Sequence, residues 1–317
     1  MSDKPIIAVI GATGAQGGGL AQAILNDPQQ RFALRALTRK TDGAAARALA
    51  AAGAEVVAAD LDDESSLVRA FAGAHGVFAV TNFWEHFSPE REVAQAGNIA
   101  RAAKKAAVKH VIWSTLEDTR KFVPLSDPRL PTLGGKYKVP HYDGKGEADA
   151  LFAGLPVTYL ATVFYWDNLI HFGMGPRRDA NGKLLFVLPM GDAKLPGIAA
   201  ADIGPAALAL FARGPEVVGK TVGIAGGHLS GAEMAAELSR ALGETVTHYA
   251  MAPADYAKLG FPGADDLANM FEFKRLFEAE YCASRPVDET HKLYPGLQDF
   301  RTWLERNVQK VPVAAAA

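Results

Sequence analysis

The feature that most constrains the fold is a glycine-rich turn near the start of the chain. The run Gly11-Ala12-Thr13-Gly14-Ala15-Gln16-Gly17 follows an apolar segment, residues 5–10, and opens a helical pattern over residues 15–26. In this context Gly11 permits a tight turn, and Gly14 lets a pyrophosphate approach the backbone closely. Gly17 lets the helix pack closely on the strand. The run is typical of a dinucleotide-binding turn, with a purely structural turn as the alternative. The candidate phosphate-binding residues are Gly11, Thr13, Gly14, Ala15, Gln16 and Gly17.

Short apolar runs alternate with helical patterns through the first half of the chain. Predicted strands cover residues 5–10, 32–38, 55–60, 76–81, 110–114 and 157–162, with two more over 182–190 and 220–225, the last of which adds to the parallel sheet. Strands that alternate with helices predict an α/β fold, a Rossmann-type doubly wound parallel sheet. We expect residues 1–162 to form this nucleotide-binding domain, with residues 201–225 returning to it. Residues 163–200 and 226–317 then form a smaller, mostly helical C-terminal lobe for a substrate or a partner.

Residues 117–140 form the one long irregular segment. It follows the fifth predicted strand, so we expect it over the cofactor cleft, where a loop of this length is usually functional or mobile. A surface excursion without a role is the alternative.

The composition excludes several classes of protein. The net charge of −2 over 317 residues favours neither nucleic acid nor an anionic membrane. A lone cysteine, Cys282, suits a reducing compartment, and no histidine has metal-ligand spacing. No segment resembles a signal peptide or a membrane span, so we expect a cytoplasmic protein without a metal.

The end of the second predicted strand points to the phosphorylated cofactor. Arg39 and Lys40 stand where an NAD-binding site usually keeps a carboxylate for the ribose, and arginine there accommodates a 2′-phosphate. The sequence therefore predicts NADP(H) binding, with NAD(H) weaker. A solvated pair of charges at a strand end is the alternative.

Further candidates follow the third and fourth strands. Asp60 and Leu61 are placed to contact adenine, although Asp60 is equally suited to cap the next helix. Thr81, Asn82 and Phe83 come where the nicotinamide-side ribose and the diphosphate are expected, and the aromatic residues there either wall the cleft or belong to the core.

Several runs together resemble a known family. The spacing Gly-x-x-Gly-x-x-Gly resembles the atypical short-chain dehydrogenase/reductase superfamily, and residues 80–85, 141–147, 167–169 and 258–271 resemble the NmrA-like family, closest to its redox-sensor subgroup. The resemblance implies a Rossmann domain, NADP(H) binding and a regulatory or NADPH-sensing role. It also implies a cofactor contact from Asn168.

The same resemblance exposes a departure from the superfamily. Its members carry Tyr-x-x-x-Lys on one helix face, where the lysine holds the nicotinamide ribose and lowers the pKa of the tyrosine. Lys145 matches the lysine, but His141 stands four residues before it and Tyr142 is one residue out of register. His141 and Lys145 are therefore the candidate catalytic residues. Either His141 donates a proton, or it only packs while Lys145 only binds ribose.

Two functions remain open at this stage. The first is an NADP(H)-binding regulator that acts on a protein partner. The second is an NAD(P)H-dependent reductase of quinones or similar small electrophiles, because hydride transfer needs only placement of cofactor and substrate. A DNA-binding repressor is disfavoured by the absence of a basic stripe.

Overall fold

Residues 4–313 are described in a computed structural model, and they divide into two compact units. The first unit contains the chain up to Asp118, then His141–Thr162 and Ala201–Val222. The second contains Thr119–Pro140, Val163–Ala200 and the chain from Gly223.

The strands of the described chain are short. In chain order they are β1 (Ile6–Ile10), β2 (Ala33–Thr38), β3 (Glu55–Ala58), β4 (Gly76–Ala79), β5 (His110–Thr115), β6 (Val157–Ala161), β7 (Phe164–Tyr165), β8 (Arg177–Arg178), β9 (Leu184–Val187), β10 (Lys194–Ile198), β11 (Thr221–Gly223), β12 (Gly227–Ser230) and β13 (Val246–Tyr249).

The helices alternate with the first strands and dominate the end of the chain. They are α1 (Ala15–Leu25), α2 (Ala44–Ala51), α3 (Glu64–Phe71), α4 (Pro89–Lys105), α5 (Pro140–Ala148), α6 (Asn168–His171), α7 (Ala200–Arg213), α8 (Gly231–Leu242), α9 (Pro253–Tyr256), α10 (Ala264–Leu276), α11 (Glu278–Ala283), α12 (Val287–Leu293) and α13 (Phe300–Asn307).

The predicted Rossmann-type sheet is confirmed in the first unit. Seven strands lie in the order β11-β6-β5-β4-β1-β2-β3, and β1 pairs in parallel with both β2 and β4. Because the strands are parallel, the residues that follow them collect at one edge of the sheet. Ligands of open α/β sheets bind at this carboxyl edge, where the strand order reverses on either side of β1.

Helices cover both faces of this sheet. Buried residues of α3 and α4, such as Leu67 and Ile99, pack on one face together with Ala8 of β1. On the other face a Cβ at Gly76 would meet Ile7 and the ring of Phe211 from α7. Since side chains alternate along a strand, β1 is buried on both sides, which explains its continuous apolar sequence.

The second unit is helical, as predicted, and it also carries two small sheets. These have the orders β12-β10-β7 and β13-β9-β8. The sequence pattern indicates only the strand at residues 182–190, observed as Leu184–Val187. Strands of two to five residues are too short to show a clear alternation of apolar and polar side chains.

Candidate functional site

The glycine turn joins β1 to α1 with an open helix terminus. Gly11 has φ +63°, in the left-handed region that glycine adopts without strain, and its carbonyl oxygen accepts a hydrogen bond of 2.8 Å from the Gly14 amide. Gly14 is the N-cap of α1, and no side chain caps this terminus. Thr13, Gly14 and Ala15 are exposed, and Gln16 is half-buried. The N-terminus of α1, with the positive end of its dipole, is therefore accessible to solvent and suited to an anion.

Two glycines of the turn serve different purposes. A Cβ at Gly17 would lie 2.4 Å from the Gly11 oxygen and 2.5 Å from the Ile10 oxygen, so glycine is required for α1 to pack against β1. A Cβ at Gly14 would meet only the Gly11 oxygen, at 3.4 Å. Position 14 thus has room for a ligand, whereas position 17 has room for no side chain.

Arg39 and Lys40 lie exposed just beyond β2, as the sequence predicts. The guanidinium of Arg39 donates a hydrogen bond to the carboxylate of Glu85, which belongs to the 3-10 helix Phe83–Glu85 after β4. This pairing raises the pKa of Arg39 above its usual value. The sequence does not reveal this pair, because Glu85 is far from Arg39 along the chain. The two residues meet because β2 and β4 lie on either side of β1.

Asp60 does not cap the next helix, so that alternative is wrong. The cap of α3 is Asp63, whose side chain accepts a hydrogen bond of 2.9 Å from the Ser65 amide. Asp60 is exposed beyond β3, and its Oδ1 accepts from the Asp62 amide at 3.0 Å. Leu61 is half-buried. An adenine contact for Asp60 and Leu61 stays a prediction.

Lys145 is buried in a small polar network with Thr81. Its ammonium lies 2.8 Å from the Thr81 hydroxyl, 3.2 Å from the Thr81 carbonyl oxygen and 2.7 Å from Glu92 Oε1. The Thr81 hydroxyl also donates to Glu92 Oε1. The Trp113 ring centroid lies 5.2 Å from the ammonium. Two residues predicted to serve the nicotinamide side of the site are therefore in direct contact.

The two glycines that flank Lys145 allow this contact. A Cβ at Gly144 would lie 3.2 Å from the Cα of Pro89, at the start of α4, and a Cβ at Gly146 would lie 2.3 Å from the amide nitrogen of Asp118. Glycine is required at position 146, and at position 144 a larger residue would push α5 away from Pro89 by a few tenths of an ångström. The approach brings the Lys145 side chain within ion-pair distance of α4.

Glu92 is the functional candidate that sequence reasoning missed. Its side chain has no exposed surface, and its Oε2 has no hydrogen-bond partner within the described chain. A signal existed, because Glu92 lies on the same face of α4 as Ala96, Ile99 and Ala103, all buried. A glutamate at an inward helix position requires a buried cation, and burial without one is very costly.

His141 lies against an aromatic turn, which we define as residues 83–87. The imidazole centroid is 4.8 Å from the Trp84 ring and 5.8 Å from the Phe83 ring, and 4.8 Å from the ring of its neighbour Tyr142. His141, Tyr142 and Phe83 are buried, while Asn82 is exposed. The packing holds the imidazole in place, and its service as a proton donor stays a prediction.

Asn168 and residues 119–140 belong to the second unit. Asn168 begins α6, and its side chain is half-exposed. The long segment is irregular, as predicted, but it is tied internally. The buried ammonium of Lys138 donates to the carbonyl oxygens of Leu130 at 2.7 Å and Asp127 at 2.8 Å, and the Asn269 amide donates to the Pro131 oxygen at 2.9 Å.

Two kinds of feature are missing from the part of the chain that the structure describes. Within residues 4–313, no three histidine, cysteine or acidic side chains are grouped so that they could hold a metal ion. Over the same residues, none of the helices combines the length and the apolar character that a membrane crossing requires.

The carboxyl edge of the first unit's sheet fits a dinucleotide phosphate. The turn from Gly11 to Gly17 could hold a pyrophosphate on backbone amides, since Thr13, Gly14 and Ala15 are exposed at the start of α1. Arg39 and Lys40 could hold a 2′-phosphate. The Lys145 ammonium could hold ribose hydroxyls while Glu92 and Thr81 keep it in place.

Sequence comparison places this chain among known proteins. Residues 3–304 match the NmrA-like family. An NmrA-like family domain-containing oxidoreductase of a Cladobotryum species is 30% identical over 308 residues, which cover 89% of this chain and 88% of that protein. An NAD(P)H azoreductase of Xenophilus azovorans is 29% identical over 282 residues, covering 88% of this chain and 89% of that protein.

Solved structures share the fold. NmrA, a negative transcriptional regulator solved in complex with NADP, superposes with a TM-score of 0.76 at 24% identity, covering 98% of this chain and 97% of that one. The same regulator in complex with NAD gives a TM-score of 0.79 over the same shares of both chains.

Proposed function

Because the chain belongs to the NmrA-like family, we propose that it binds NADP(H), and NAD(H) more weakly, and that the bound cofactor regulates a protein partner. The observation that carries the regulatory part is local to α5. Lys145 is present and fixed by Glu92, but the position four residues before it holds His141, packed among aromatic rings, in place of a tyrosine.

The cofactor preference is supported by charge at the end of β2. Arg39 offers a planar fork that suits a phosphate, and Lys40 adds a second cation. The NmrA regulator and a Citrobacter triphenylmethane reductase, both of similar fold, are solved with NADP or NADP(H). The same regulator is also solved with NAD, so the preference for NADP(H) rests on the charge at Arg39 and Lys40.

The regulatory role is supported by the absence of a tyrosine four residues before Lys145 in α5. Reduction of a carbonyl requires a proton donor at its oxygen while the cofactor supplies hydride, and a positioned acid contributes about 10²–10⁴-fold. Tyr142 is one residue out of register with Lys145, a rotation of about 100° around a helix. A site that retains the ribose lysine without the tyrosine is suited to binding more than to turnover of alcohols and carbonyls.

A second function is favoured by the relatives. The chain is similar over most of its length to proteins named oxidoreductases and to an NAD(P)H azoreductase. Quinones and azo compounds accept hydride without a dedicated phenol if a donor such as His141 is in reach. We therefore keep an NAD(P)H-dependent reductase of such electrophiles as the alternative.

Turnover separates the two functions. NADPH oxidation is measured with aldehydes, ketones, quinones and azo dyes, in the unmodified chain and in His141→Phe and Lys145→Met. The regulatory proposal expects NADPH binding without useful turnover, and weaker NADPH binding in Lys145→Met under conditions where circular dichroism shows that the variant is folded. A rate above about 1 s⁻¹, the low end for ordinary enzymes, that is lost in His141→Phe would establish the reductase instead.

The regulatory part has its own test in the second unit. Residues 117–140, of which 119–140 belong to the second unit, are the candidate switch, and we expect NADPH to change amide hydrogen exchange there. The hydrogen bonds from the Lys138 ammonium to carbonyl oxygens hold this segment in one conformation without cofactor, against which the exchange with NADPH is compared. Identical protection of residues 117–140 with and without NADPH would remove this segment from the proposal.

A further inference from the structure

The ion pair between Arg39 and Glu85 crosses the expected cofactor site. Arg39 follows β2 and Glu85 follows β4, and both strands pair with β1. Since β1 lies between them, the pair passes over the carboxyl end of β1, from which the glycine turn starts. The two side chains are 61% and 45% exposed, so a ligand can reach them from solvent.

The pair also joins Arg39 to the aromatic turn, residues 83–87. In that turn the amides of His86 and Phe87 donate to the Phe83 carbonyl oxygen at 3.1 and 2.7 Å. Phe87 has φ +54°, a left-handed conformation that is strained for a bulky side chain, and its side chain is exposed. A strained residue keeps its conformation only while its surroundings hold it, so loss of the Glu85 contact favours a change in this turn.

We propose that Glu85 is a specificity-determining residue, which occupies Arg39 until a 2′-phosphate displaces it and thereby releases the aromatic turn. This inference rests on the proposed function, because it requires NADP(H) at Arg39. It adds a way for the protein to distinguish NADP(H) from NAD(H), since the unphosphorylated ribose leaves the Arg39–Glu85 pair intact.

The charges favour displacement. An exposed ion pair is weak, because water screens it and two flexible side chains must be held. A phosphate monoester carries about −1.5 to −2 charges at neutral pH and accepts two parallel bonds from a guanidinium. Glu85 would also be repelled by a phosphate seated at Arg39.

The signal has a defined route inside the first unit. Trp84 and Phe83 of the aromatic turn contact His141, which lies in the first turn of α5, the helix that carries Lys145. A turn released at Glu85 therefore changes the packing beside the residues proposed to hold the nicotinamide ribose. NADH, bound at the same place without a 2′-phosphate, would not produce this change.

The affinity test uses Glu85→Gln, which keeps the shape and removes the charge. We expect the dissociation constant of NADPH, measured by calorimetry, to fall about two- to fivefold while that of NADH stays unchanged. The matched control is Glu55→Gln, because Glu55 is also exposed and pairs with Arg35 of β2 at 2.8 Å. This control should leave the NADPH-to-NADH ratio as it is.

Hydrogen exchange tests the release of the turn. In the unmodified chain, amides of residues 86–88 should exchange faster with NADPH than with NADH. In Glu85→Gln they should exchange fast without any ligand. Equal exchange with the two cofactors, or weaker NADPH binding in Glu85→Gln, would overturn the inference alone. If the unmodified chain bound neither dinucleotide, the proposed function would fail and the inference with it.

Discussion

Removing either partner of the Glu92–Lys145 pair should strongly destabilise the first unit. The Glu92 side chain is fully buried, the Lys145 side chain is 10% exposed, and their charged atoms are 2.7 Å apart. Glu92→Gln leaves an ammonium without its counter-charge, and Lys145→Met leaves a carboxylate whose Oε2 already lacks a partner. Each single change is expected to lower the free energy of unfolding by about 3–5 kcal/mol.

The double variant Glu92→Gln/Lys145→Met should cost no more than one single change, because no uncompensated charge remains. The four proteins form a double-mutant cycle with an expected coupling of about 3 kcal/mol. Urea-induced unfolding at pH 7 without cofactor gives each free energy from the midpoint and the slope. Glu64→Gln is the surface control, since Glu64 pairs with Arg101 and Lys105 between α3 and α4 and should matter far less.

Additive effects of the two single changes would refute this reasoning. So would single changes as small as that of Glu64→Gln. Either result would mean that the Glu92 carboxylate and the Lys145 ammonium do not depend on each other in the folded protein. A double variant that is stable but no longer binds NADPH would show that this buried pair serves the cofactor as well as the fold.

Three further predictions concern the cofactor site and the sheet. Arg39→Ala should weaken NADPH about ten- to a hundredfold and barely affect NADH, since a hydrogen bond to a charged group contributes about 1.5–3 kcal/mol; calorimetry showing equal affinities in the unmodified chain would contradict this. Gly14→Val should abolish dinucleotide binding in a folded protein, whereas Gly17→Ala should impair folding, because a Cβ at position 17 would lie 2.4 Å from a backbone oxygen. Circular dichroism reports the folding of each variant, and cofactor titration reports its binding. Burial, with a smaller effect of His75, lowers the pKa of His110 to about 4, so His110 stays neutral in the folded protein while the unfolded chain takes up a proton near pH 6.5. The free energy of unfolding should therefore fall by up to about 3 kcal/mol between pH 6.5 and 4. This loss should be smaller in His110→Asn.

Local patterns were sufficient for the framework of the first unit. The continuous apolar run of β1, the glycine spacing and the alternation with helices each depend on residues close in sequence, and they predict a parallel sheet with a phosphate-binding turn. Gly17 shows why this worked: its contacts are with Ile10 and Gly11, only a few residues away.

Short strands and helix starts were less predictable. Two-residue strands such as β7 and β8 exist because neighbouring chain segments pair with them, and their own sequence shows no alternation. Asp60 and Asp63 are equally good caps by residue type, and the path of the chain after β3 decides that Asp63 caps α3.

The sequence by itself determined which residues follow each strand, and therefore that Gly11, Arg39 and Thr81 share one edge of a sheet. It did not determine which charges meet there. Arg39 pairs with Glu85, which is 46 positions away in the sequence. Lys145 contacts Thr81, at a separation of 64 residues, and Glu92 of α4. Such pairs depend on the order of the strands in the sheet and on how closely the helices pack at glycine residues. Neither of these can be inferred from the spacing of residues along the chain. Tertiary structure alone therefore decided that Glu85 faces the proposed 2′-phosphate site and that Glu92 positions the lysine.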